Sequence, residues 1–156
     1  MLVTGGKSLS GAVRLAGAKN SINKLLIASL LSNEPFLFSN VPEIGETDTV
    51  VELCESIGSK VRRDGGNLAI HTPEILNPRV KELSRRNRIP ILALGPLLAR
   101  AGEAEVPSLG GDKLGPRPVD FHIAALQKLG AKVEIADSTF RAKTDQLVGG
   151  NIHFTY

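Results

Sequence analysis

The feature that most constrains this chain is an internal repetition of long period. Setting Asp48 on Asp120 also places Gly58 on Gly130, Lys60 on Lys132 and Val61 on Val133, all with one shift of 72 residues. Solenoid repeats are usually shorter, so this period predicts two copies of a larger α/β unit. The first copy reads as a helix over 21–32, with Ile22, Leu25, Leu26, Ser29 and Leu30 at helical spacing and Asn33-Glu34-Pro35 as its stop. A short strand Phe36-Leu37-Phe38 follows, then an amphipathic helix over 49–57 with Val50, Leu53, Cys54 and Ile57 on one face. Thr47 or Asp48 is the expected N-cap and Gly58 the expected terminator. Lys60-Val61-Arg62 and Leu68-Ala69-Ile70 then form a hairpin across Asp64-Gly65-Gly66-Asn67.

The same order recurs further on. A helix over 91–99, apolar nearly all round and so expected between sheets, leads to the strand Ala104-Glu105-Val106. A helix over 119–129 and strands over 132–135 and 139–142 complete the second copy. Ahead of the first copy, Gly11-Ala12-Val13-Arg14-Leu15-Ala16-Gly17 alternates like a strand; after the second, Gln146-Leu147-Val148-Gly149-Gly150 and Ile152-His153-Phe154 open a third unit. The predicted fold class is α/β (α+β), built from duplicated strand–helix–strand–helix–hairpin units. Crossover helices predict some parallel pairing and hence a mixed sheet. Because the third unit opens with no helix after it, the chain is expected to be a fragment.

Composition narrows the function classes. Hydrophobic residues make up 42% and charged residues 22%, as in soluble globular proteins. Five Phe, one Tyr and no Trp leave little for base-stacking platforms, so no nucleic-acid partner is expected. The longest apolar stretches are too short and too broken to span a bilayer, so no membrane partner and a cytoplasmic location are expected. Cys54, the single cysteine, allows no internal disulfide and sits on an apolar helix face, where core packing is its ordinary role. His71, His122 and His153 are scattered, with no metal-ligand spacing. The net charge of +3 fits a cleft for anionic ligands and equally fits a plain basic surface.

Three stretches carry groups capable of chemistry. In Gly17-Ala18-Lys19-Asn20 a lysine follows a glycine turn at a helix start, where ammonium charge and free N–H groups both favour anions; a lysine at a turn is more often simply solvated. Arg85-Arg86-Asn87-Arg88 precedes the apolar helix, and an arginine there can bind phosphate through both arms of its fork or merely cover the surface. The richest stretch is Gly110-Gly111-Asp112-Lys113-Leu114-Gly115-Pro116-Arg117-Pro118-Val119-Asp120. Its glycines and prolines describe a loop of special backbone geometry that holds two acids and two bases, with Asp120 at the next helix start.

Taken together these stretches resemble the UDP-N-acetylglucosamine 1-carboxyvinyltransferase family of enolpyruvyl transferases. The matching residues are Gly17-Ala18-Lys19-Asn20, Leu94-Gly95-Pro96-Leu97-Leu98-Ala99-Arg100, Gly110-Gly111 with Gly115, and Arg117-Pro118-Val119-Asp120-Phe121-His122. Asn40-Val41-Pro42 and Leu129-Gly130-Ala131 add to them. The shikimate-pathway enolpyruvyl transferases, the minor alternative, usually show glycine-serine-lysine-serine where this chain has Gly17-Ala18-Lys19-Asn20.

The resemblance implies an inside-out α/β barrel, with residues 1–16 an opening strand of another domain. Residues 17–156 would form a partial transferase domain, with repeats over about 17–72 and 86–143 and a third begun at 144. It implies transfer of enolpyruvyl from phosphoenolpyruvate to the 3′-hydroxyl of UDP-N-acetylglucosamine, with release of phosphate and with no metal or organic cofactor, at the committed step toward peptidoglycan. Lys19, Asn20 and Arg117 would hold phosphoenolpyruvate; Arg88, Arg117, Pro118, Val119, Asp120, Phe121 and His122 would hold the UDP-sugar. Asp112 would stand where most relatives carry a reactive cysteine, the proton donor to the methylene carbon. A second domain, expected in the full protein, would supply an aspartate base and further arginines. A truncated module that binds the UDP-sugar without catalysis is the alternative.

Overall fold

The computed structural model describes residues 1–85, 88–108, 118–136 and 138–154. Helix α1 (Lys19–Ser29) buries Ile22, Asn23, Leu26, Ile27 and Ser29, and packs beside α2 (Gly45–Ile57). Helix α2 starts earlier than its apolar spacing predicts, and Ile44 rather than Thr47 or Asp48 takes the N-cap position. Thr47 does not cap because its hydroxyl donates to Asn23 Oδ1 of α1 at 3.1 Å, in the buried seam between the helices. Glu46 and Asp48 instead favour the first turn through their charge at the positive end of the helix dipole. Gly58 ends α2 with φ 126°, where a Cβ would come within 2.9 Å of the Leu76 side chain.

Strands β2 (Lys60–Asp64) and β3 (Asn67–His71) form the predicted hairpin, and β1 (Phe36–Phe38) pairs with the other edge of β3. Strands β4 (Glu103–Pro107), β5 (Lys132–Ala136) and β6 (Thr139–Lys143) repeat the arrangement, so the sheet orders are β1-β3-β2 and β4-β6-β5. Both sheets are open, and every strand pair within them is antiparallel. This corrects the mixed-sheet expectation. The crossover helix does carry the chain between strands that run the same way, but the second strand of the hairpin takes the lane between them. Among the described residues the one parallel pairing is the isolated bridge of Arg79 with Glu105.

Register shows where the two copies differ. Phe38 pairs with Leu68, and Val106 with Phe140, so the first strands are shifted by 68 while the hairpins are shifted by 72. The second copy is thus four residues longer between its first strand and its hairpin: the glycine-rich connection from β4 to α4 (Asp120–Lys128) is longer than its counterpart, and the helix shorter. The apolar stretch opens as a 3-10 turn over Pro90–Ala93, because Pro90 suits a helix start, and continues as α3 (Leu94–Ala101) to Gly102. Leu94 and Leu97 join Leu26, Leu30, Leu53 and Ile57 as fully buried side chains of one core. In contrast α4 buries none of its residues.

One expected strand is absent. Residues 11–17 form no ladder with any described strand, and Val13 and Leu15 stand 86% and 79% exposed. Alternation alone does not make a strand: backbone groups need a neighbouring edge to pair with, and this segment pairs with none of the described strands. Residues 144–148 run past the ends of α3 and α4, with Thr144 N donating to Gly102 O at 2.8 Å and Val148 N to Leu129 O at 2.9 Å.

Arg100 joins the two copies. Its Nη1 donates to the carbonyls of Leu30, Ser32 and Thr72 at 3.0, 3.0 and 2.9 Å, and its Nη2 to Pro73 O at 2.8 Å. One guanidinium therefore satisfies the exit of α1 and the exit of β3 together. Arg100→Met should lower stability by about 2–3 kcal/mol, seen as a lower urea midpoint with an unchanged slope. Arg100→Lys should recover only part of the loss, since an ammonium lacks the planar fork.

Candidate functional site

The entry to α1 is built on a contact that admits no side chain. Gly17 N donates to Asn40 O at 3.0 Å, and a Cβ on Gly17 would lie 2.2 Å from that same oxygen. Asn40 itself has φ 56°, and Val41 N donates to Gly66 O in the β2–β3 turn at 2.8 Å. Three loops therefore meet where α1 begins, and a cavity of about 380 Å³ beside them is lined by Gly17, Ala18, Ser21 and Asn40 among others.

Lys19 and Asn20 occupy the first turn of α1 and are exposed. The seam bond between Thr47 and Asn23 puts the first turn of α2 alongside, and Lys19 Nζ reaches Glu46 Oε2 at 2.8 Å. The guanidinium of Arg85 lies against Gly45, its Nη1 2.7 Å from where a Cβ would be. Two helix N-termini, each with N–H groups that lack intrahelical acceptors, thus stand together with an ammonium, a guanidinium and a carboxylate. Such a place can receive an anion. Sequence reasoning picked out Lys19 and Asn20 but not Glu46, which carries no motif, nor Arg85 in particular. The glycine at 45, one residue ahead of Glu46, was the available signal for a group packed close to the backbone.

Arg88 is exposed, one residue ahead of buried Ile89 and Pro90. Pro90 also borders a cavity of about 680 Å³ lined by Lys81, Arg85, Glu105, Ser108 and Arg141 among others. Glu105, only 8% exposed, accepts from Arg141 Nε at 3.2 Å and from the Thr139 hydroxyl at 3.5 Å. At the start of α4, Val119 takes the N-cap position, so Asp120 is the first helical residue and supports the helix dipole rather than capping. Pro118, Asp120, Phe121 and His122 are exposed and Val119 half-buried; the Phe121 ring lies 5.1 Å from that of Phe154, tilted by 59°. Asp112, Lys113 and Arg117 lie outside the described residues. Among the described residues no hydrogen bond or ion pair joins Lys19, Arg88 and Asp120 to one another. No group of three or more metal-ligating side chains occurs among them either, and no described helix is long and apolar enough to cross a membrane.

Cys54 is fully buried, its Sγ 3.9 Å from Leu26 O in the seam between α1 and α2. Burial, with a smaller contribution from Glu55, pushes its thiol pKa up to about 12. A thiol so protonated is a poor nucleophile at neutral pH. Ellman's reagent at pH 8 should leave Cys54 unmodified in the folded chain and titrate one thiol in 6 M guanidinium chloride.

Residues 3–156 match the family model described as EPSP synthase (3-phosphoshikimate 1-carboxyvinyltransferase). The chain is 48% identical over 159 residues to the UDP-N-acetylglucosamine 1-carboxyvinyltransferase of Chlamydia abortus, an alignment covering 99% of this chain and 36% of that protein. Its identity to the protein of the same name from Prochlorococcus marinus is 38%, over 99% of this chain and 35% of the relative. Among solved structures, the enolpyruvyl transferase NikO from Streptomyces tendae superposes with a TM-score of 0.72 at 22% identity, over 92% of this chain and 32% of that one, and shares the fold. The chain spans about a third of the length of the curated relatives it matches.

Proposed function

The chain belongs to the EPSP synthase family of carboxyvinyltransferases, and from that premise we propose that it is the front portion of a UDP-N-acetylglucosamine 1-carboxyvinyltransferase. The observation that carries this reading is the 48% identity to a protein of that name along essentially the whole chain. Gly17-Ala18-Lys19-Asn20, in place of the glycine-serine-lysine-serine pattern of the shikimate branch, points the same way. The complete protein would act in the cytoplasm on phosphoenolpyruvate and UDP-N-acetylglucosamine.

In this reading the sugar 3′-hydroxyl oxygen bonds to C2 of phosphoenolpyruvate while C3 takes a proton. The C2–O bond to phosphate then breaks and C3 gives up a proton, leaving the enol ether and free phosphate. Lys19, Asn20 and Arg117 hold the phosphate and carboxylate; such donors serve best when they already point at the charge that must be stabilised. The exposed start of α4, Pro118 to His122, together with Arg88, receives the UDP-sugar. The second domain supplies the base that takes the hydroxyl proton.

Asp112 is the proposed acid. An ordinary aspartate titrates near pH 3.9 and is ionised at neutrality, and Lys113 and Arg117 as sequence neighbours favour the ionised form further. Protonation therefore requires burial on closure, or the negative charge of bound substrate, to raise its pKa. Because the acid form is the active one, kcat should fall as pH rises through that raised value. A kcat profile for the complete enzyme with no such limb would contradict the assignment.

Phosphate release by the complete gene product, with phosphoenolpyruvate and either UDP-N-acetylglucosamine or 3-phosphoshikimate, tests the function directly. Turnover should require the UDP-sugar, and turnover with 3-phosphoshikimate alone would overturn the reading. Asp112→Asn should lower kcat by about 10²–10⁴-fold. Fosfomycin, which alkylates the loop cysteine of relatives, should leave this enzyme active, because a carboxylate is a far weaker nucleophile than a thiolate. Mass spectrometry finding the adduct on Asp112 would refute that expectation.

A further inference from the structure

We propose that Glu46 is a positioning residue for Lys19: without ligand its carboxylate holds the ammonium, and an incoming phosphate monoester takes the ammonium over. The inference rests on the reading of Lys19 as a phosphate-binding residue.

The ion pair is short, 2.8 Å, and it is asymmetric: the Lys19 side chain is 59% exposed and that of Glu46 23%. Glu46 is the fixed partner. It sits in the first turn of α2, where the helix dipole favours a carboxylate. The next residue, Thr47, is fully buried and bonded to Asn23 of α1, so the mounting of Glu46 is set relative to the very helix that carries Lys19. Lys19 is the movable partner, a long side chain at the start of α1 whose terminal torsions face solvent. It can turn from Glu46 to an anion above the α1 N-terminus without any backbone change. The carboxylate it leaves is not stranded, because the Glu46 side chain is 23% exposed and keeps access to water.

Glu46 then does two things. It keeps Lys19 near the helix start when the site is empty, which limits the rotamers to be lost on binding. It also acts as an internal competitor that an anion must displace, so phosphate affinity is set below what Lys19 and the helix end would reach unopposed.

The test is a titration of the chain with inorganic phosphate, followed through the backbone amide signals of Lys19 and Asn20 by NMR. Glu46→Gln should bind phosphate about two- to fivefold tighter, the range expected for release from an exposed ion pair. The gain should vanish when Lys19→Met is combined with it. Unchanged or weaker binding in Glu46→Gln, or the same gain in the Lys19→Met background, overturns the proposal. Should Glu46→Gln melt markedly earlier, the unsubstituted chain answers the question through the Glu46 side-chain carboxyl signal. That signal should move with those of Lys19 as phosphate is added, and a Glu46 signal that stays still while Lys19 responds is contradictory. The titration needs no turnover, so it succeeds or fails independently of the phosphate-release assay.

Discussion

The alignment of α1 with α2, side by side and with their first turns at the same end, is the arrangement on which the rest of the site depends. A buried hydrogen bond, from the Thr47 hydroxyl to Asn23 Oδ1, fixes the register of the two helices near their first turns. Apolar packing around it, from Ile22, Leu26 and Ile27 against Val50, Leu53 and Cys54, supplies the burial. Hydrophobic contact is non-directional and would tolerate sliding of one helix along the other. The polar bond is directional, and leaving either partner unsatisfied in the core would cost about 1–3 kcal/mol. With the register set, Lys19, Glu46 and the backbone at Gly45 come to one place.

A second constraint acts on the loops. Gly17 passes so close to Asn40 that no β-carbon fits, and Val41 is tied to the β2–β3 turn through Gly66. That turn carries two successive glycines at φ 51° and 84°, the left-handed geometry that closes a two-residue hairpin. Glycines remote from one another in sequence thus serve one end of the unit. Its opposite end is held by the single arginine, Arg100, that reaches the exits of α1 and β3. The proposed anion site lies at the first end, and structural closure falls to the second.

Much of this was legible in the residues alone. Helical spacing located α1, α2 and α4, and the glycine pair located the hairpin turn, because both signals are local and strong. Sheet order was not legible: whether the crossover strand or the returning hairpin strand takes the centre is decided by tertiary packing, and alternation is silent on it. The segment at 11–17 misled for a related reason, since its alternation states which side chains share a face and not whether a neighbouring strand pairs with it. Lys19 and Asn20 stood out through their place after a glycine turn. Glu46 did not, because an acid in the first turn of a helix is common, and only the register of two helices gives this one its partner. The roles of Asp112 and Arg117 rest on family resemblance.

The central claim is that the starts of α1 and α4 receive the two substrates. Hydrogen–deuterium exchange on the complete protein tests it directly, comparing the free enzyme with the enzyme plus UDP-N-acetylglucosamine and phosphoenolpyruvate. The account predicts slowed amide exchange in peptides spanning both 17–21 and 118–122 when both substrates are present, and in 118–122 with the UDP-sugar alone. Exchange at both helix starts that ignores the substrates, while protection develops elsewhere, would contradict it.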